Sequence, residues 1–234
     1  PLVADVLGCD CYAISNFTWK DQYERFEISK DIIKRFAEAN ESIAHYIRYA
    51  LSFGDITNGC KVSNVGFICR TINHGFVKEI KSKYNPEIFL TLGKSAVINN
   101  VNFRNLASTI IITEGVELAS NNNAVKLPLS TLDTHNYIAA CEYVIAKAGW
   151  STVSEGLIGG SKLILLDRPS VYEDTFIINK LKKEKLAISI TEDQLKNLDF
   201  DLIKSCADEK IDTKKLASIK SDTRTILKIL NVIK

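Results

Sequence analysis

The chain has 234 residues, and at about 150 residues per domain this amounts to roughly 1.6 domains, one large or two small. Hydrophobic residues make up 46% and charged residues 25%, which excludes a disordered chain, a collagen and a pure coiled coil. Thirty Lys and Arg against 28 Asp and Glu leave a net charge of +2, so no broad nucleic-acid-binding surface is expected.

No run approaches the roughly 18 apolar residues of a transmembrane helix. The segment Pro1–Asp5 lacks the basic start and long apolar stretch of a signal peptide. The sequence contains no methionine and begins with proline, from which an incomplete gene product is expected, with the true N-terminus outside it. The six cysteines are too sparse for a disulfide scaffold. They form no CxxC pair and have no histidine at zinc-ligand spacing, so buried, reduced thiols in a cytoplasmic protein are expected. Cys9 and Cys11, two apart in an apolar run, are expected to share one face of a strand.

Short apolar runs alternate with helical patterns along the chain. Cys11–Ser15 reads as a buried strand, followed by a long helix from Asp21 to about Ala50 that would carry His45. Asn64–Cys69 reads as a second strand. The polar stretch from Arg70 to Pro86, with Gly75 and His74, reads as a linker, so the domains are expected to span 1–78 and 79–234. Strands follow at Glu87–Leu92, Thr109–Thr113, Ala124–Leu127 and Tyr143–Ala146. A helix over Ser151–Ile158, a strand over Lys162–Leu166, a helix from Glu173 to about Lys185 and a strand over Leu186–Ile190 come next. The tail from Asp212 to Lys234 carries apolar residues at helical spacing. Apolar strands alternating with helices predict parallel strands covered on both faces, a doubly wound α/β fold whose ligands sit at the carboxyl ends of the strands.

Three motifs lie at such ends. In the first, Ala146–Glu155, a strand ends, Gly149 turns the chain and a helix opens through Trp150, Ser151 and Thr152. A helix start offers free N–H groups and a positive dipole to a phosphate. Glu155, one turn on, is placed to accept hydrogen bonds from a ribose diol. Thr152 and Glu155 also have the spacing of a capping box, which requires no ligand, and the motif alone leaves both readings open. The second motif, Gly93-Lys94-Ser95, lacks the spacing of a P-loop but could donate N–H groups to a diphosphate. In the third, Arg168 and Pro169 follow a strand and Glu173 and Asp174 open the next helix. The acids suit sugar hydroxyls or simply the helix dipole; the arginine suits a phosphate or a surface ion pair. Glu114 ends the Thr109–Thr113 strand, and His135 lies in the loop that faces the same end of the sheet. No GxSxG, HExxH or EF-hand loop occurs.

Together these motifs resemble the GT-B glycosyltransferases that use nucleotide sugars. Gly149, Thr152 and Glu155, then Arg168-Pro169, then Glu173-Asp174 with Asn179 follow the family's order. More narrowly, Ile14–Trp19 with Tyr23, Gly149–Glu155 and Tyr172–Asn179 are similar to the glycosyltransferase-like N-terminal region of plant L-arabinokinases and its stand-alone bacterial relatives. The resemblance implies two Rossmann-like doubly wound domains, the N-terminal acceptor-side one incomplete, and a C-terminal domain that binds a UDP-sugar as substrate. It implies transfer of the sugar to an unidentified acceptor, with a 2-epimerase or a non-catalytic nucleotide-sugar-binding module as alternatives. Carried over, Glu155 binds ribose, Gly93, Lys94 and Ser95 line the diphosphate, Gly149 to Thr152 hold phosphate, and Glu173 and Asp174 face the sugar. Glu114, His135 and Arg168 complete the expected donor site. No metal or cofactor is implied, and no base can be named. Phe176 stands near the place of the family's common glutamine.

Overall fold

The structure, a computed structural model, describes residues 1–232 apart from 27, 55, 57, 58, 94–96, 121 and 122. Contacts divide the chain into two compact units, Pro1–Phe67 with Ser221–Lys234, and Ile68–Lys220.

The first unit runs through α1 (Leu2–Leu7), β1 (Cys11–Ser15), α2 (Trp19–Tyr23), α3 (Lys30–Glu41), β2 (Ile43–Arg48) and β3 (Lys61–Asn64). Its three strands are parallel in the order β1-β2-β3. Ile43, Tyr46 and Ile56 form a buried cluster, with Cys11, Ala13 and Cys60 packed against it. The long helix expected from Asp21 to Ala50 is in fact two helices and a strand. Thr18 caps α2 and Ser29 caps α3, so the helix restarts. Ile43, Tyr46 and Ile47 have helical spacing, yet they lie on β2 and are buried beside β1. His45 is therefore on a strand, where its Nε2 meets Ser63 Oγ at 2.9 Å. The strand expected at Asn64–Cys69 is displaced to Lys61–Asn64.

The second unit comprises α4 (His74–Tyr84), β4 (Pro86–Thr91), β5 (Ile98–Arg104), β6 (Thr109–Ile112), β7 (Val116–Leu118), β8 (Ala124–Lys126), α5 (Thr134–Ala140) and β9 (Tyr143–Lys147). It continues with α6 (Trp150–Gly159), β10 (Lys162–Leu166), α7 (Tyr172–Lys183), β11 (Ala187–Ile190), α8 (Glu192–Lys196), β12 (Asn197–Asp199), α9 (Phe200–Lys210) and α10 (Thr213–Ser218). A six-stranded sheet runs β11-β10-β9-β4-β6-β8 with every pairing parallel. A second sheet of three short strands has the order β12-β5-β7. The central strands are buried on both faces, with Ile88, Val144, Ile145, Leu163, Ile164 and Leu165 all at 0% exposure. This is why they read as continuous apolar runs.

The order of the large sheet places the site. The chain enters at β4, moves out through β6 to β8, then returns to the other side of β4 and moves out through β9, β10 and β11. The direction of winding reverses between β4 and β9, and loops leaving those neighbours diverge to open a crevice at their carboxyl ends.

The expected linker after Arg70 is instead part of this unit. Asn73 caps α4, whose Val77 and Ile80 are buried. His135 holds the Thr71 carbonyl and Asn136 the Asn73 amide, so the break falls at 67/68 rather than 78/79. The C-terminal tail is not one helix. After α10 the chain rejoins the first unit through α11 (Thr223–Ile229), where Asp222 accepts from the Gly66 amide and donates its own amide to the Phe67 carbonyl, each at 2.8 Å. No disulfide joins any of the six cysteines among the described residues. Contrary to expectation only Cys141 is buried, and Cys9 is exposed outside β1. Among the described residues no helix is long and apolar enough to cross a membrane.

Candidate functional site

The carboxyl ends of β4 and β9 each finish on a glycine turn. Gly93, two residues past β4, has φ +65°, a conformation most residues avoid. A Cβ there would stand 3.2 Å from Cε of Lys147, the last residue of β9. A Cβ on Gly149 would stand 3.6 Å from the same atom. The Lys147 stem therefore runs between the two turns; a Cβ at Gly93 would crowd it, whereas one at Gly149 would only touch it. Thr91 fixes the rim: its Oγ1 accepts from the Gly93 amide at 3.3 Å and from Thr113 Oγ1 at 2.8 Å. Lys94 and Ser95 lie outside the described residues.

α6 starts at this crevice. Its N-cap is Gly149, with no side-chain capping hydrogen bond among the described residues. The capping box expected between Thr152 and Glu155 does not form, because Thr152 already lies within the first turn. Of the first-turn amides, Val153 N returns to Gly149 O at 3.1 Å. The amides ahead of it have no carbonyl one turn back within the helix. Trp150 is buried, Ser151 exposed and Thr152 half-buried. The Ser154 hydroxyl donates to the Ile68 carbonyl at 2.5 Å. Gly156 lets α6 lie close on the sheet, since a Cβ there would come within 2.6 Å of Leu163 Cδ2.

Glu155 is tied to Arg70 instead of to the cap. Arg70 Nε and Nη2 both donate to Glu155 Oε1, at 3.0 and 2.8 Å, and Oε2 takes part in neither bond. Arg70 also donates to the Leu132 carbonyl and, at 3.1 Å, to Thr134 Oγ1. It thus joins the start of α5 to the second turn of α6. The Glu155 side chain is only 12% exposed, against 47% for Arg70, so the carboxylate is held in place from its outer side. Burial and the nearby Glu155 charge push the Cys69 thiol above its ordinary pKa.

The remaining expected residues fare unevenly. Arg168 Nε lies 2.6 Å from Asp174 Oδ2, and the Asp174 side chain is 2% exposed. Asp174 is therefore a buried anchor for Arg168 and not a group turned toward a sugar, and Arg168 spends its Nε on that anchor. Glu173, beside it in the first turn of α7, is half-buried. Phe176 lies 6.1 Å from Tyr172, with Lys180 Nζ 5.5 Å from its ring centre. Glu114 pairs with Lys126 at 3.2 Å on the surface beyond β6. His135 is not in a loop but in α5, buried, with Nε2 on the Thr71 carbonyl at 3.1 Å. The structure thus brings together Gly93, Gly149, Trp150, Ser151, Thr152 and Glu155 and gives Glu114, His135, Arg168 and Asp174 structural partners. Lys147 and Arg70 escaped the sequence reading. A lysine closing an apolar strand two residues before a glycine was a usable signal for the first; Arg70 meets its partner 85 residues away and gave none.

Among the described residues no group of three or more His, Cys, Asp or Glu side chains is placed to hold a metal ion.

No protein-family model matches the chain, and no curated protein sequence does. Solved structures do. UGT2 of Phytolacca americana, in complex with UDP-2-fluoro-glucose and pterostilbene, superimposes with a TM-score of 0.62 at 11% identity over 99% of this chain and 72% of that one. UGT89C1 of Arabidopsis thaliana, in complex with UDP, gives 0.59 at 13% identity over 92% and 62%. A UDP-glucosyltransferase of Polygonum tinctorium gives 0.57 at 11% identity over 98% and 72%. The fold is that of the GT-B glycosyltransferases, and the chain spans 62% of the length of UGT89C1.

Proposed function

We propose that this chain carries the donor-binding part of a GT-B glycosyltransferase that moves a sugar from a UDP-sugar to an acceptor. One observation carries the reading: Lys147 runs between the Gly93 and Gly149 turns at the winding reversal, beside the start of α6, whose N-cap is Gly149. A cation, a helix N-terminus and two glycine turns converge where a diphosphate would bring its charge. That solved structures of this fold include complexes with UDP supports the nucleotide.

In this reading the amides of Trp150, Ser151 and Thr152 donate to phosphate oxygens and Lys147 neutralises their charge. Glu155, steadied by Arg70, accepts from the ribose diol through Oε2. Glu173 faces the sugar. An acceptor hydroxyl oxygen bonds to the anomeric carbon as that carbon's bond to the diphosphate oxygen breaks; the electron pair leaves with UDP and the hydroxyl proton passes to water or to the departing diphosphate. The α6 dipole and Lys147 stabilise that developing charge without a metal ion. In this reading the unit Ile68–Lys220 is the donor side, and the unit of Pro1–Phe67 with Ser221–Lys234 is the acceptor side. The closer relationship to the glycosyltransferase-like region of plant L-arabinokinases belongs to the same proposal, carried by Ile14–Trp19, Gly149–Glu155 and Tyr172–Asn179. Six cysteines outside any disulfide suit a reducing, cytoplasmic setting.

The test is thermal unfolding with UDP, UDP-glucose and uridine. A ligand at about a hundredfold its Kd raises stability by about 2.7 kcal/mol, so UDP and UDP-glucose should raise Tm well beyond uridine. No shift with either diphosphate at millimolar concentration would overturn the reading. NMR of UDP-glucose incubated with the protein then separates transfer or hydrolysis from 2-epimerisation.

A further inference from the structure

The segment Ile14–Trp19 has no part in the donor site, yet it ends at the carboxyl edge of the first unit's sheet. Phe17 follows β1 and Phe53 follows β2, its parallel neighbour, and their rings stack at 5.2 Å and 14°. From there the contacts run outward: Phe17 edge-on to Trp19 at 5.7 Å, Trp19 to Tyr23 at 5.4 Å, and Tyr23 to Phe36 at 5.1 Å. Phe53 is 4% exposed, whereas Trp19 is 55% exposed. The largest side chain of the series thus stands in water, braced by rings on either side. A braced indole loses little freedom when a ligand lies on it.

The polar groups around it narrow the ligand. Gln22 follows Trp19 by three residues on α2, so the two share a helix side. Gln22 is 7% exposed, and its Oε1 has no hydrogen-bond partner among the described residues. A buried acceptor without a donor is costly and calls for an outside hydroxyl or amide. The neighbouring charges are answered locally. Lys20 pairs with Glu24 at 3.0 Å. Asp21 accepts from the Thr18 amide and hydroxyl, at 3.0 and 2.7 Å. Gly54, at φ +77°, lies so close to the Asp21 carboxylate that a Cβ there would overlap it. None of these three charged side chains selects an ionic ligand.

We infer that the carboxyl edge of β1 and β2 is a binding site for a neutral saccharide, whose C–H face stacks on Trp19 while a hydroxyl donates to Gln22. As the acceptor of the proposed transfer, this saccharide rests on that reading; its binding to the first unit does not, and the test is run without nucleotide. Saturation-transfer difference NMR is recorded with methyl β-glucopyranoside, methyl β-galactopyranoside and methyl β-xylopyranoside, and with catechol as a planar hydroxylated ring. At least one glycoside should show transfer to its ring C–H protons. Trp19→Ala should abolish it, Trp19→Phe should keep part of it, and Gln22→Leu should weaken binding about fivefold. Trp19 is exposed enough for its variants to fold, which unfolding curves verify. Should Gln22→Leu fail to fold, Trp150→Phe leaves Trp19 as the sole indole, and the glycoside should shield it from acrylamide quenching. Glycoside signals that are absent or survive Trp19→Ala would overturn the site. Catechol binding with no glycoside binding would overturn the saccharide assignment.

Discussion

Replacing Lys147 by methionine removes a cation while keeping an unbranched stem between the two turns. The stem is already confined, with Cε 3.2 Å from the place of a Gly93 Cβ and 3.6 Å from that of Gly149. Little side-chain entropy then opposes its contact with a diphosphate, which favours the upper part of the usual range. Hydrogen bonds to charged groups contribute about 1.5–3 kcal/mol, and the upper part of that range corresponds to a fall in UDP affinity of roughly fortyfold to 150-fold. Uridine, which lacks the diphosphate, should bind the variant as it binds the unmodified protein. The wild-type preference for UDP over uridine should also shrink as salt rises, because it is electrostatic. Isothermal titration with both ligands at two salt concentrations measures all of this. A loss for UDP below about twofold, or an equal loss for uridine, would refute the placement of the diphosphate beside Lys147.

Glu155→Gln breaks a pair whose arginine is 47% exposed, so stability should drop by about 1 kcal/mol or less in urea unfolding. The same variant should lose the preference for UDP over dUDP that a carboxylate on the ribose diol confers. Gly156→Ala gains about 1 kcal/mol of helix propensity but drives a methyl against Leu163, which is fully buried; overpacking of about 1–3 kcal/mol should leave a net loss near 1 kcal/mol, read as a lower urea midpoint. At the amino ends of the strands, Glu87 lies 2.5 Å from Lys204 and Asp208 lies 2.6 Å from both Lys162 and Tyr143 OH. Burial raises the pKa of both carboxyls, but Lys204 and Ser108 outweigh it at Glu87, and Lys162 and Tyr143 outweigh it at Asp208, so both lie below their ordinary values. A depressed folded-state pKa contributes stability above the unfolded value and loses it as pH falls through the folded one, so this network should weaken below about pH 4. The acid limb of a urea-midpoint profile should flatten in a Glu87→Gln, Asp208→Asn double variant.

What the sequence disclosed follows from burial. β10, enclosed on both faces, is a continuous apolar run and was legible to the residue; β1 matches in its bounds but is not the buried strand expected, since Tyr12 and Ile14 are exposed. β2 was lost because Ile43, Tyr46 and Ile47 also satisfy a helical spacing, and only pairing with β1 decides between the two. α4 buries just Val77 and Ile80 and begins with His74-Gly75, so its polar residues read as a linker. β5 carries Asn99, Asn100 and Asn102 in a small sheet and has no apolar rhythm. In the site the glycines at strand ends were legible, because turns demand them locally. The tasks of the charged residues were not. Asp174 and Arg168 are six apart, but only the burial of Asp174 shows that the arginine serves it. The spacing of Thr152 and Glu155 matched a cap, whereas a glycine three residues earlier starts the helix.

The winding reversal between β4 and β9 can be tested as a nucleotide site by following backbone amide resonances during titration with UDP. The account predicts that shifts concentrate at Gly93 and at Gly149 through Thr152, with Glu155 and Arg70 responding next. It predicts none around the cavity of about 390 Å³ that Phe103, Leu106, Ile110, Leu118 and Ala124 help to line near the amino ends of β6 and β8. Shifts centred on that cavity, with Gly149 to Thr152 unmoved, would contradict it.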